Sequence, residues 1–227
     1  MNVLVLHATK NTGGKKDATH VFVPEAARFA AHMMAQGHEV MLHGFDNLLP
    51  PPRRRAEVEQ VMNLGPARDG LGTWDVVAFF GHGTRRGIQT GHNVATLPRL
   101  LRALRPRLSG RVVMPLYACS TAGGAGPGGD GGFADRLRDV LSEAGVTGHI
   151  DAHTVLGHST ANPYVRRFYL DGQGAGLGGD WVVAPGSPNW RPWVRQLHAE
   201  RDEPGAGTLR FDFPFMTLPE VDAALEG

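Results

Sequence analysis

Short runs of consecutive apolar residues recur along the first half of the chain. A continuous apolar run of a few residues, ended by polar residues or glycine, is typical of a strand buried on both faces of a sheet. Four such runs predict the first four strands: "NVLVLHAT", "HEVMLHGF", "WDVVAFFGHG" and "RVVMPLYAC".

Each of these runs is followed by a segment with helical periodicity. In "VPEAARFAAHMMAQG" the apolar residues, among them Phe29 and Met33, recur every three or four positions, and Gly37 ends the pattern. The other predicted helices are "RRRAEVEQVMNLG", "LPRLLRALRPRL" and "FADRLRDVLSEAG". Strand and helix therefore alternate four times.

This alternation predicts an α/β protein, a three-layer α/β/α sandwich around a mostly parallel sheet of about six strands. The fifth and sixth strands are predicted in "HIDAHTVLGHS" and "DWVVAP". Glycine-rich stretches at 121–132 and 171–180 are predicted as long mobile loops. The tail from Glu203 onward is predicted to be loop-like, with its apolar residues docked on the body. We expect residues 1–227 to form a single domain.

Composition and charge exclude several classes of protein. The formal net charge of +1 gives no global attraction to nucleic acid or to an anionic membrane. No apolar stretch approaches the ~18 residues of a membrane span, and the first residues lack the basic region of a signal peptide. A single cysteine cannot form an internal disulfide. The expected location is the cytoplasm.

Two residues that could carry out catalysis follow two of the predicted strands. His82 ends "VVAFFGH", and Cys119, the only cysteine, ends "VVMPLYAC". Ligands of open parallel sheets bind outside the carboxyl ends of the strands. Neighbouring strand ends lie about 5 Å apart, which brings a thiol within reach of an imidazole and favours a nucleophilic thiolate. Gly83 follows His82, and its N–H, with that of Cys119, could hold an oxyanion.

The stretches "VVAFFGHGT" and "VVMPLYACSTAGG" together resemble the caspase-like cysteine peptidases. This group includes caspases, metacaspases, legumain and gingipains, and "ACST" followed by glycines looks most like the bacterial CHAT-type proteases. The resemblance implies a caspase-like fold and a cysteine endopeptidase that acts on a protein or peptide substrate. It implies no cofactor and no metal, and it allows a regulatory protein partner.

Substrate preference does not follow from this resemblance. Metacaspases have an Asp two positions before the cysteine, where this chain has Tyr117. The resemblance places specificity on loops after the first and fifth strands and near the cysteine. A buried Asp there would select Arg or Lys before the scissile bond, and a buried Arg would select Asp. The charged candidates, most of them expected to be solvated, are Asp17, Asp130, Arg166 and Arg167, with Lys10, Lys15 and Lys16.

Other readings of the sequence remain open. The same His-Cys pair could be vestigial in a catalytically silent α/β interaction module. "GAGPGG" matches the dinucleotide fingerprint G-x-G-x-x-G, although it lies after the fourth strand and contains Pro127. "LGHSTANPY" resembles a serine-centred turn only faintly, because it lacks G-x-S-x-G.

A metal site is a further alternative to the thiol chemistry. His149, Asp151 and His153 alternate along the fifth predicted strand and therefore share one face. His158 follows nearby and could complete a ligand set. Eleven histidines make chance clusters common, and a polar strand face is the simpler interpretation.

Overall fold

A seven-stranded sheet forms the centre of the computed structural model, which describes residues 1–11, 19–66, 72–158, 160–171, 178–203 and 207–227. Its strands run in the order β2-β1-β3-β6-β7-β8-β9. The first five in this order are parallel, and β8 and β9 are antiparallel additions at one edge. The strands are β1 (Asn2–Ala8), β2 (Glu39–Phe45), β3 (Trp74–Phe80), β6 (Leu108–Tyr117), β7 (Thr147–His153), β8 (Val165–Tyr169) and β9 (Asp180–Trp181).

The predicted α/β class and the mostly parallel sheet are therefore confirmed, with seven strands in place of about six. The strand that the prediction missed is β8, whose sequence "VRRFY" has two arginines inside it. A separate two-stranded hairpin, β4 (Gly83–Thr84) and β5 (Gly87–Ile88), follows β3 directly.

Helices cover both faces of the sheet. The helices are α1 (Phe22–Ala35), α2 (Pro51–Leu64), α3 (Leu97–Leu104), α4 (Phe133–Glu143), α5 (Trp190–Asp202), α6 (Leu209–Asp212) and α7 (Leu218–Glu226). Side chains of α2, α3 and α4 meet alternate residues of β3 and β6, such as Phe79 and Leu116, on one face. On the other face Phe29 of α1 packs against Phe80 and Tyr117. This two-sided cover explains why the central strands are apolar at successive positions. None of the helices in the described ranges is long and apolar enough to cross a membrane.

The tail after Glu203 is not loop-like as predicted. It forms α6, a 3₁₀ turn at Phe213–Phe215 and α7, while α5 just before it was not predicted. The elements of the tail are short, and the apolar residues of "FDFPFMTL" have no helical period. The pattern of apolar residues therefore did not predict them. Their docking does follow the prediction, because Phe211 and Phe215 pack on Phe29.

Tyr117 and a buried ion pair connect this tail to the sheet. The Tyr117 hydroxyl donates to the Arg210 carbonyl over 3.2 Å. Arg167 of β8, 1% exposed, donates through Nε and Nη2 to the two carboxylate oxygens of Asp151 on β7, over 2.8 and 2.9 Å. The same guanidinium also donates to the carbonyls of Phe213 and Met216. One arginine therefore joins two strands and the tail.

Removal of the Asp151 carboxylate should destabilise the protein strongly. Asp151→Ala leaves Arg167 buried without its counter-ion, a change that typically costs about 3–5 kcal/mol. The free energy of unfolding, measured by urea denaturation, is the readout. The matched control is Asp202→Ala, which breaks the exposed Arg201–Asp202 pair and should have little effect. Equal losses in the two variants would contradict this role for the buried pair.

Candidate active site

His82 and Cys119 occupy equivalent positions beyond two neighbouring strands. β3 and β6 are paired in parallel, with Phe80 opposite Tyr117 in the register. The Gly81 N–H donates to the Tyr117 carbonyl over 3.4 Å and extends the contact beyond the ladder. His82 lies two residues after Phe80, and Cys119 lies two residues after Tyr117. The predicted adjacency of these two strands is therefore observed, and both residues lie at the carboxyl edge of the sheet.

The hairpin after β3 and the start of α1 hold His82. The His82 backbone N–H donates to Oε1 of Gln89, and the Gln89 N–H donates to the His82 carbonyl, each over 2.9 Å. The imidazole lies edge-on to the ring of Phe22, with centroids 5.1 Å apart. Its Nε2 is 3.1 Å from the hydroxyl oxygen of Thr19. Backbone and ring are thus both fixed, as an acid–base group requires.

Cys119 lies at a sharp turn that follows β6. Its side chain is half-buried, and the thiol donates to the Gly157 carbonyl with an S···O distance of 3.5 Å. The next residue, Ser120, has φ of +57°, the one left-handed non-glycine residue within the described ranges. The Ser120 N–H donates to the Val155 carbonyl over 3.3 Å. A left-handed residue in such a place stores backbone strain that the surrounding contacts must hold. Here those contacts come from the loop after β7.

Gly83 allows the two strand ends to approach closely. A methyl group built on its Cα would lie 2.7 Å from both the Cys119 carbonyl oxygen and Cγ2 of Thr121, and 2.9 Å from Cβ of Ala118. Any side chain at this position would therefore push the histidine-bearing segment away from the cysteine turn. The oxyanion-binding role of Gly83 stays a prediction.

A cleft of about 340 Å³ opens beside His82, between the start of α2 and the hairpin. His82 and Gly83 contribute to its wall, so the cleft adjoins the candidate site. Its other lining residues are Pro51, Arg55, Thr84, Arg86, Gly87, Ile88, Gln89, Gly91, His92 and Asn93.

Of the two acidic residues predicted to set specificity, the structure describes only Asp130. Asp17, like Lys15 and Lys16, lies outside the described residues. Asp130 lies in the glycine-rich stretch, where its carbonyl accepts from the Gly126 N–H over 3.1 Å. Its carboxyl group hydrogen-bonds to that of Asp135, whose pKa is raised first by burial and further by this contact. Asp130 therefore interacts with the start of α4.

The two arginines predicted for a specificity loop lie instead in strand β8. Arg167 is fully engaged by Asp151 and the tail, which leaves its guanidinium no open side for a substrate. Arg166 stacks on Trp181, with its Cζ 3.9 Å from the ring centroid, and donates to the Gly179 carbonyl. Both side chains are thus engaged within their own part of the sheet, and β8 is separated from β6 by β7.

The histidines and Asp151 of the alternative metal site have other partners. His149 Nε2 is 2.7 Å from the Pro214 carbonyl oxygen, and burial lowers the pKa of His149. Asp151 pairs with Arg167, as described above. Nδ1 of His158 accepts from the backbone N–H groups of Thr160 and Ala161, over 3.3 and 3.4 Å. In the ranges that the structure describes, no three or more His, Cys, Asp or Glu residues form a group able to hold a metal ion.

The glycine-rich stretch 121–132 is a series of turns with one 3₁₀ turn at Pro127–Gly129. Its backbone donors have partners within the protein: the Gly126 N–H donates to the Asp130 carbonyl, the Gly129 N–H to the Gly126 carbonyl over 3.2 Å, and the Ala122 N–H to the His153 carbonyl over 2.9 Å. A phosphate-binding loop would present such donors to its ligand. The dinucleotide interpretation therefore gains no support. The central residue of the serine alternative, Ser159, lies outside the described residues.

In comparisons with known proteins, no family model, no curated protein and no solved structure matches the chain.

Sequence reasoning missed several residues that shape the site. Thr19, Gln89 and the Gly157 carbonyl hold His82 and Cys119, yet all three belong to turns or segments without periodicity. Arg55, which lies in the predicted helix "RRRAEVEQVMNLG", and Arg86 both line the cleft, and neither is among the predicted site residues. The basic dipeptide "RR" directly after "GHGT" was the available signal.

Substitution of Gly83 should disturb the cysteine turn. Gly83→Ala forces a methyl group into the Cys119 backbone, so we expect a loss of about 1–3 kcal/mol in the free energy of unfolding and an altered rate of Cys119 alkylation by iodoacetamide. The control is Gly110→Ala in β6, where no described atom lies within 4 Å of the new methyl group. If both variants behave alike, the close approach is wrong.

Proposed function

We propose that the protein is a cysteine endopeptidase with a caspase-like fold, in which Cys119 and His82 form a catalytic dyad. The observation that carries the proposal is the register Phe80–Tyr117, which puts the histidine and the cysteine at the same step beyond two adjacent parallel strands. A thiol beside an imidazole at the carboxyl edge of a sheet is suited to acyl transfer. The sequence resemblance to caspase-like peptidases supports the same reading.

The reaction would proceed through a covalent acyl-enzyme. His82 takes the proton of the Cys119 thiol, the thiolate attacks the scissile carbonyl carbon, and the carbonyl electron pair moves to oxygen. The N–H groups of Gly83 and Cys119 hold that oxyanion. The intermediate collapses with cleavage of the C–N bond, and His82 protonates the leaving amine. Water, deprotonated by His82, then hydrolyses the thioester and restores the thiol.

The expected substrate is a protein or peptide that binds across the carboxyl edge of the sheet, where His82 and Cys119 lie. The positions of Asp130, Arg166 and Arg167 do not predict which residue is preferred before the scissile bond. The mechanism uses neither metal nor cofactor. A reducing compartment such as the cytoplasm would keep the Cys119 thiol available.

Two contacts favour a second candidate, a catalytically silent interaction module. The Cys119 thiol donates to the Gly157 carbonyl, and Nε2 of His82 is within hydrogen-bonding distance of the Thr19 hydroxyl. If these contacts persist when substrate binds, the dyad does not assemble. An electrophilic peptide probe separates the candidates, because only an active dyad labels Cys119 in a manner that depends on His82.

Removal of either dyad residue should abolish peptide cleavage. Since an acid–base group contributes about 10²–10⁴-fold, His82→Ala should lower kcat/KM by that factor, and Cys119→Ala should lower it at least as far. Cleavage of a peptide library, followed by mass spectrometry, is the measurement. Circular dichroism must show that both variants keep their fold. Turnover retained in folded Cys119→Ala protein would eliminate this nucleophile.

Inhibition should distinguish thiol chemistry from metal chemistry. Because the mechanism needs no metal, EDTA should leave the cleavage rate unchanged, whereas iodoacetamide should end cleavage by alkylating Cys119. Cys119 is the only thiol in the chain, so incorporation of one label reports its modification directly. An EDTA-sensitive, alkylation-resistant activity would refute the proposal.

A further inference from the structure

The cleft beside His82 is basic. Two arginines, Arg55 and Arg86, contribute to its lining, and no aspartate or glutamate is among its described lining residues. Two histidines, His82 and His92, complete its ionisable side chains. The charge of the cleft therefore depends on the two arginines and on the protonation of the two histidines.

His92 adds no positive charge to the cleft. It is 1% exposed, with Nδ1 2.9 Å from the Thr90 hydroxyl and Nε2 3.1 Å from Oε1 of Glu59. Burial is the main reason that its pKa lies below the usual value, which keeps the ring neutral at pH 7. Glu59 in turn receives two hydrogen bonds from Arg99, over 2.6 and 2.7 Å, so its carboxylate is already paired.

The two arginines come from different elements and have unused donors. Arg55 of α2 donates from Nη1 to the Gly91 carbonyl over 2.9 Å, which orients the guanidinium. Its Nε is buried and has no hydrogen-bond partner among the described residues. Arg86 is exposed at the turn of the β4–β5 hairpin, where its backbone N–H donates to the Thr84 hydroxyl. Because a guanidinium has five N–H donors, both arginines keep donors that a ligand in the cleft can use.

The chemistry of the proposed dyad determines which part of a substrate would reach this cleft. His82 must protonate the leaving amine, so the residues after the scissile bond lie on the imidazole side of Cys119. His82 and Gly83 line the cleft, whereas Cys119 is not among its described lining residues. A peptide that leaves Cys119 past His82 therefore continues toward Arg55 and Arg86.

The geometry points to a subsite for a carboxylate side chain, Asp or Glu, within the first three residues after the scissile bond. This inference rests on the proposed peptidase function and names the substrate class of the same site. A guanidinium matches a carboxylate in shape and charge, and a cleft open to solvent makes the contact sensitive to salt. The subsite is separate from the pocket for the residue before the scissile bond.

A peptide series tests the subsite. Internally quenched peptides carry Glu or Gln at each of the first three positions after the cleavage site, and kcat/KM is measured for each pair. At the recognised position the wild-type protein should prefer Glu about tenfold at low salt, and the preference should shrink as salt is added. Arg86→Gln should reduce the preference about threefold, and Arg55→Gln/Arg86→Gln should bring it close to one.

The control has the same net charge as the double variant. Arg53→Gln/Arg102→Gln removes two exposed arginines, one on α2 and one on α3, that do not line the cleft, and it should keep the wild-type preference. Because Arg55 also bonds to Gly91, the exposed Arg86 variant provides the test if the double variant fails to fold. A preference lost equally in the control would assign the effect to long-range charge and overturn the subsite.

Binding separates this inference from the proposed activity. Fluorescence anisotropy of the Glu and Gln peptides with Cys119→Ala protein should show the same preference without turnover. Cleavage of both peptides at equal rates overturns the subsite and leaves the peptidase. Glu-specific binding that needs both arginines, without cleavage by the wild type, keeps the carboxylate cleft and removes the peptidase. Displacement of the Glu peptide by millimolar phosphate, but not by glutamate, shows a phosphate site and overturns the inference.

Discussion

The parallel pairing of β3 with β6 is the constraint on which the candidate site depends. With Phe80 opposite Tyr117, the chain leaves both strands at the same level of the sheet, so His82 and Cys119 each follow two residues after a paired strand end. A shift of one residue in either strand would turn its terminal side chain to the other face. The rings of Phe80 and Tyr117 stack with centroids 4.4 Å apart and an angle of 19°, which reinforces this register directly beneath the site.

Beyond the strand ends, different contacts hold the segment with His82, after β3, and the turn with Cys119, after β6. Gln89 and the hairpin hold His82, while the carbonyls of Val155 and Gly157 hold the turn at Cys119. Gly83 makes the two sides compatible because a side chain there would collide with the cysteine turn. Strain at Ser120 is tolerated because the turn is bonded to the loop after β7. The site is therefore assembled from three loops on one rigid pair of strands.

The sequence predicted the parts of this arrangement that have a regular pattern of apolar residues, and it missed the parts that have none. The ends of β3 and β6 were predictable because continuous apolar runs mark buried parallel strands, and His82 and Cys119 follow those runs directly. Strand β8 was missed because its two arginines hide it, and only the fold shows that Arg167 is neutralised by Asp151 across a strand pair. The cleft was also beyond prediction, since Arg55 and Arg86 are 31 positions apart and only the folded hairpin brings them to the lining of one cleft.

The ion pair between Arg167 and Asp151 has a consequence for the order in which the protein folds. The guanidinium reaches full hydrogen bonding only when the carbonyls of Phe213 and Met216 arrive, and these follow Arg167 by 46 and 49 residues. Strands β1 to β9 can therefore pair before the tail docks on the sheet. Tyr117, two residues before Cys119, likewise has its hydroxyl hydrogen bond only when the Arg210 carbonyl, 93 residues further along the chain, is in place. The sheet edge that carries the thiol is thus completed only when the tail docks.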